Sequence, residues 1–182
     1  MDSREIAQSR PWLAVGQEIA GLLARIDPQA FAQVVDAFRD PAQRWFFSGQ
    51  GRSGLVAQMA AMRFMHLGRQ VHFVGEVSAP SIRKGDALLV ISGSGETPVS
   101  VGFARIAKAE SAKVVTLTHK PKAMLAQIAD VVLPVPVEET RQFGGSLFEQ
   151  SCLLLLDGVI LSLTGDMPDA HGVMLHRHTN LQ

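Results

Sequence analysis

The sequence predicts an α/β fold, a three-layer sandwich in which five parallel strands form an open sheet with helices on both faces. Three observations carry this. From Arg44 onward, short apolar and partly β-branched runs alternate with helical stretches, as repeated β-α-β units require. Two strand ends run straight into turns rich in glycine and serine that open helices, Ser48-Gly49-Gln50-Gly51-Arg52-Ser53-Gly54 and Ser92-Gly93-Ser94-Gly95-Glu96-Thr97-Pro98. And 47% hydrophobic residues in 182, with no linker dividing them, suffice for one core. The expected organisation is a single domain over 1–182: two helices in 1–40, a β/α core in 44–135, and a final helix with its tail in 145–182.

The elements follow in order. Asp2, Arg4, Glu5 and Arg10 break up the first ten residues, so no secretory signal core is expected there. Pro11 opens an amphipathic helix whose apolar face is Trp12, Val15, Ile19, Leu22, Leu23 and Ile26. Asp27-Pro28 starts a second, with Phe31, Val34, Val35 and Phe38 on one side, which Asp40-Pro41 ends. Strands are predicted over 45–48, 71–74, 86–91, 114–117 and 131–135, and helices over 53–67, closed by Gly68, and 98–109. Thr97 followed by Pro98 is an N-cap with proline at the first helical position. The last helix, 145–163, is apolar nearly all round, through Leu147, Phe148, Cys152, Leu153 to Leu156, Val159, Ile160 and Leu161. Such a helix needs cover on every side, and a second copy of the chain is the expected cover. Beyond it the chain turns at 164–168 into a polar tail ending His176-Arg177-His178-Thr179-Asn180.

Composition narrows the function classes. Seventeen basic residues balance seventeen acidic ones, and no basic stripe is interleaved with aromatics, so nucleic acid is not an expected partner. Asp157 interrupts the longest apolar run, so no membrane span is expected either. Cys152 is the only cysteine and sits in an apolar stretch, which suits a core residue in a reducing cytoplasm. Histidine and cysteine spacings of the metal-binding kind are absent, and no metal is assigned.

The chemistry concentrates in the two loops. In a parallel sheet whose order reverses between the first and third strands, 2-1-3-4-5, the loops after those strands flank one crevice. Ser92, Ser94 and Thr97 supply hydroxyls, Gly93 and Gly95 allow a tight turn, and a helix N-terminus adds free N–H groups. Together they form a nest for a phosphate dianion, to which the other loop adds Ser48, Gly49, Arg52 and Ser53. The lysine of a nucleoside-triphosphate loop is missing, so a single phosphomonoester fits better. Each turn alone could also be a plain strand-to-helix connection. Gly49, Gly51 and Gly54 match a dinucleotide fingerprint with Glu76 as the ribose-binding acid, but that reading does not require the second hydroxyl nest.

Catalysis needs a proton carrier as well as an anchor. Glu149, near the start of the apolar last helix, is a candidate base, since burial there would raise its basicity; complementing the helix dipole is its structural alternative. Asp157 is a buried partner or an interface residue, and His178 reaches a site only if the tail folds back or crosses to a neighbour. His66 is expected to be structural, and His119, after the fourth strand, borders the crevice.

These pieces resemble the sugar isomerase (SIS) domain family and, within it, the 6-phospho-3-hexuloisomerase branch. The likeness rests on Gly51-Arg52-Ser53-Gly54, Ala61 to Gly68 (AMRFMHLG), Val74-Gly75-Glu76, Ile91 to Thr97, Leu147-Phe148-Glu149 and Arg177-His178-Thr179-Asn180-Leu181. It implies the SIS fold, with the flavodoxin-like strand order given above, and a homo-oligomer, dimer or tetramer, whose sites lie within one chain or are shared between subunits. The activity it implies interconverts 3-hexulose 6-phosphate and fructose 6-phosphate through a cis-enediol, in the ribulose monophosphate route of formaldehyde assimilation, without a cofactor. It places the phosphate on Ser53, Ser92, Ser94 and Thr97, makes Glu149 the base, and makes His178 the second proton carrier, in its own or a neighbouring subunit. Ser146 stands where the family often has threonine. Two other readings share the fold: an isomerase of sedoheptulose 7-phosphate or arabinose 5-phosphate, and a non-catalytic sugar-phosphate-binding module.

Overall fold

A computed structural model describes residues 10–165 and 167–181. The reading of the first ten residues thus falls, Arg10 apart, outside the described residues. Five strands, β1 (Trp45–Gly49), β2 (Val71–Phe73), β3 (Ala87–Ile91), β4 (Lys113–Thr118) and β5 (Val131–Pro134), form one sheet in the order β2-β1-β3-β4-β5. All neighbours are parallel; β1 pairs with β3 from Trp45 opposite Ala87 to Gly49 opposite Ile91. The helices are α1 (Pro11–Leu23), α2 (Pro28–Ala37), α3 (Arg52–His66), α4 (Pro98–Ala109), α5 (Met124–Ile128), α6 (Ser146–Thr164) and α7 (Ala170–His176).

The period-two alternation of strand side chains divides the core into two layers. Trp45, Phe47, Leu89, Ile91, Val115, Leu117 and Leu133 turn toward α1, α2, α3 and α6. Phe46, Leu88, Val90 and Val114 turn toward α4 and α5. The thicker layer is organised by stacked rings, with Phe38 centred 3.7 Å from Trp45 and 4.2 Å from Phe64. Because the middle strands are covered on both faces, every residue of β1 and β3 is buried, as their near-continuous apolar runs require.

Local chemistry sets the helix ends. Asp27 Oδ1 accepts from the Gln29 N–H at 2.9 Å, with Pro28 next, to start α2. At the end of α3, Gly68 at φ +90° lets its N–H reach Met65 O (2.8 Å) and the Arg69 N–H reach Phe64 O (3.0 Å), a Schellman closure. Two short helices were not expected. The first, α5, takes its N-terminal partner from across the fold, where Glu96 Oε1 accepts from the Met124 N–H at 2.8 Å. The second, α7, is capped by Asp169, whose Oδ1 accepts from the Gly172 N–H at 3.2 Å, so the tail is helical up to His176. Trp12, expected on an apolar face, is 64% exposed. By length and composition α6 is apolar enough to cross a membrane, but its Leu147, Cys152, Leu156 and Val159 are buried in the core against the sheet and its helices.

Candidate active site

Three helix N-termini meet at the carboxyl end of the sheet, and the loops that deliver them are fixed by glycine. A Cβ on Gly49 would lie 2.6 Å from Ser53 O, and one on Gly54 would lie 2.7 Å from Gly49 O. Only two glycines allow β1 to fold this tightly onto the first turn of α3. In the second loop Gly95 sits at φ +65°, where a Cβ would also strike Ala123 Cβ at 2.6 Å.

The hydroxyls of that second loop converge. Ser92 Oγ accepts from the Gly95 N–H (3.2 Å) and Ser94 Oγ from the Glu96 N–H (3.2 Å). Thr97 Oγ1 lies 3.4 Å from both Ser92 Oγ and Ser94 Oγ. Thr97 occupies the N-cap position of α4, yet its hydroxyl does not cap the helix; it turns toward the two serines. Neither α3 nor α6 has a side-chain cap, their N-cap residues being Gly51 and Gly145. The first-turn N–H groups of all three helices are thus free of capping side chains at one end of the sheet, where their dipoles favour an anion.

A cavity of about 300 Å³ opens there, walled by Ser53, Gly93, Ser94, His119, Val137, Gly144, Gly145, Phe148 and Glu149. The Glu149 side chain is 13% exposed, and Arg52 Nε lies 2.8 Å from its Oε2. The N–H is not directed at that oxygen, so the contact is an ion pair that leaves Oε2 without a hydrogen bond. Arg52 Nη1 also donates to Ser146 Oγ at 3.1 Å, which ties the start of α3 to the start of α6. Arg52, expected to contact substrate, also pairs with the candidate base. One turn along α6, burial and then the Glu149 carboxylate push the Cys152 thiol well up, so it stays protonated and inert.

The structure brings Ser53, Gly93, Ser94 and Glu149 onto one wall, with Ser92, Gly95 and Thr97 bonded just behind. It does not bring Ser48 there: that side chain is 1% exposed within β1, and Gly49 serves as close-packing backbone. It separates His178 as well. The His178 ring stacks on His66, centroids 5.3 Å apart, in a small hollow with Arg63, His171, Met174 and Leu175 at the far end of α3. The fifteen-residue α3 is about 22 Å long at 1.5 Å per residue, so His178 does not reach the cavity of its own chain. The physical reason is that α7 packs along the C-terminal half of α3. Asp157, read as a buried partner or an interface residue, is exposed, which removes the first of these. Glu76, the ribose-binding candidate, has its Oε2 engaged by the Phe73 N–H at 3.3 Å. His119 was noted only as bordering the crevice, yet it is part of the wall; the strand order that placed the β1 and β3 loops puts the β4 loop beside them.

Residues 40–154 match the model of the SIS domain family. The chain belongs to that family. A 3-hexulose-6-phosphate isomerase of Mycobacterium gastri is 39% identical over 176 residues, covering 92% of this SIS chain and 88% of the relative. Another of that name, from Methylomonas aminofaciens, is 38% identical over 150 residues, covering 79% and 83%. Among solved structures, a Methanococcus jannaschii protein whose crystal structure infers a molecular function of 3-hexulose-6-phosphate isomerase superposes with a TM-score of 0.84 at 30% identity. That superposition covers 95% of this chain and 99% of that one.

Proposed function

We propose that this SIS protein is a 3-hexulose-6-phosphate isomerase, interconverting that sugar and fructose 6-phosphate. One observation carries the reading: a serine-lined meeting of helix N-termini, suited to a phosphate dianion, shares a cavity of about 300 Å³ with a carboxylate, Glu149. Relatives of that name at 38–39% identity over most of the chain support it.

The phosphate rests on Ser53, Ser92, Ser94 and Thr97 and on the N–H groups around them, which leaves the carbon chain to run toward α6. Glu149 removes the proton from C2, the C–H electrons form the C2=C3 bond, and O3 takes up a proton to give the cis-enediol. Loss of the O2 proton re-forms a carbonyl at C2, and C3 receives a proton from the returning carrier. Electrons are only rearranged, so the reaction asks for proton carriers and a place for the developing oxyanion, which Arg52 and the loop N–H groups would supply.

His178 is the second proton carrier in this reading, and a neighbouring subunit donates it. A strip of exposed apolar side chains, Leu55, Met59 and Met62 on α3 with Leu154 on α6, gives a second copy a face to cover. The chain is read as one domain working in the cytoplasm. The decisive experiment offers purified protein 3-hexulose 6-phosphate, with no metal or nucleotide added, and follows fructose 6-phosphate. Formation at more than 1 s⁻¹, a rate on the order of ordinary enzymes, is expected, and no formation above the buffer rate overturns the reading.

A further inference from the structure

His119 follows β4 directly and stands on the wall of the cavity, beside the loops that hold the anion. Its backbone is pinned: its N–H donates to Gly93 O at 3.2 Å. The neighbouring Thr118 hydroxyl donates to that same oxygen at 3.3 Å and accepts from the Lys120 N–H at 3.1 Å. The ring is therefore carried on a stiff segment tied to the phosphate loop itself. Its Nδ1 is buried and has no hydrogen-bond partner among the described residues. A buried ring nitrogen left without a partner is costly, and a turn of the ring about χ2 that presents it to a molecule bound in the cavity removes the cost.

The rest of the wall narrows what that molecule offers. Four polar side chains face the cavity, Ser53, Ser94, His119 and Glu149, and the remainder is Val137, Phe148 and three glycines. The two serines lie at helix N-termini, where the phosphate belongs, and Glu149 moves the proton. A ketohexose phosphate also carries hydroxyls on the carbons between its phosphate and its reacting centre. Of the wall side chains, His119 alone remains to meet them.

We infer that His119 is a substrate-contacting residue of this site, its Nδ1 hydrogen-bonding a hydroxyl of the sugar chain and setting which carbon faces Glu149. This rests on the phosphosugar reading above, and its chemistry is specific: a phosphorylated polyol chain gains the bond, whereas inorganic phosphate, which stops at the serine loops, does not.

The test is calorimetric binding of fructose 6-phosphate and of inorganic phosphate to the wild type, His119→Leu, His119→Asn and His119→Gln, with turnover of 3-hexulose 6-phosphate in parallel. Leucine should weaken fructose 6-phosphate by about tenfold to a hundredfold and lower kcat/KM alike, the range expected when a hydrogen-bonding partner is lost. Inorganic phosphate affinity should stay unchanged, which also reports that the variant is folded. Asparagine, whose amide occupies the Nδ1 position, should restore most of the loss, and glutamine, which reaches only the Nε2 position, should not. A leucine variant that binds the sugar phosphate like the wild type overturns the role of His119 and leaves the isomerase reading standing. A wild type that binds fructose 6-phosphate no better than phosphate overturns the inference, while a wild type that shows the His119 dependence without turning the sugar over sinks only the isomerase reading.

Discussion

The two ends of α3 make an instructive pair. At its N-terminus, Gly49, Gly51 and Gly54 hold the loop against the helix, Ser53 faces the cavity, and Arg52 reaches Glu149. At its C-terminus, Phe64 is buried against Phe38, and beyond it lies α7, a seven-residue helix with no buried residue, which brings His178 against His66. One end is specified by short-range chemistry and is complete within a single chain. At the other, α7 is held by one ring stack and a shallow hollow, and it carries His178, the proposed second proton carrier, roughly 20 Å from the cavity, since α3 rises 1.5 Å per residue. In the proposed reading the site is thus half preorganised by its own loops and half dependent on assembly.

The largest expected effect probes the complete end. Glu149→Gln keeps the shape of the side chain and removes its ability to take a proton, so kcat should fall by about 10³-fold or more, within or beyond the usual range for a general base. Binding of fructose 6-phosphate should change by less than about threefold, because the serine loops are untouched. Near-normal turnover would remove Glu149 from the chemistry.

The next effect probes the dependent end. His178→Asn should lower kcat by about 10²-fold, the lower part of the acid–base range. Mixing inactive Glu149→Gln protein with inactive His178→Asn protein, under conditions that exchange subunits, should then regenerate activity, because some sites would pair an intact Glu149 with a partner's intact histidine. No recovery from a verified mixed oligomer would mean that the tail serves its own chain and must leave the hollow beside His66 to do so.

A third substitution asks how much the complete end owes to glycine. Gly49→Ala places a methyl group 2.6 Å from Ser53 O, a backbone atom that cannot turn aside. Overpacking of this kind should destabilise the fold by about 1–3 kcal/mol and displace Ser53, weakening phosphate binding along with stability in a urea titration. The equivalent change at Gly172, on α7, meets only the Asp169 carboxylate, which can swing out at the expense of the α7 cap, and should cost about 1 kcal/mol without touching the sheet.

This contrast also separates what was legible in the sequence from what was not. Thr97-Pro98 and Gly68 marked helix ends that the structure places at Pro98 and at Leu67, and apolar runs located each strand to within a residue or two. Those signals act over a few residues and survive any tertiary context. The start of α5 did not show, because its partner is Glu96, distant in the chain, and α7 did not because one Asp169 cap and seven residues make a weak pattern. Arg52 could not be assigned to Glu149 from spacing, since the contact exists only once α3 and α6 pack. His119 carried a usable signal that was under-read: it is the first residue after β4, at the same sheet end as both phosphate loops.

The smallest expected effect concerns the ring stack itself. His66 is 4% exposed, and burial first, then the nearby His178 and Arg63, hold its pKa below the ordinary value of 6.5. His171 lines the same hollow, and the groups facing His66 there are cationic or neutral, with no carboxylate among the lining residues. The folded state therefore resists protonation that the unfolded or undocked state accepts. Stability from this group is fully present above pH 6.5 and is lost as the pH falls below 6.5 through the lower value of the folded state. Protonation should loosen α7 before the sheet, because nothing in α7 is buried to hold it. Hydrogen exchange of residues 170–178, corrected for intrinsic rates, should accelerate between pH 7 and about pH 5, the range of an imidazole switch, while β1 and β3 stay protected. His66→Gln should flatten that dependence. An equal acceleration in the variant would show that the stack does not hold the tail.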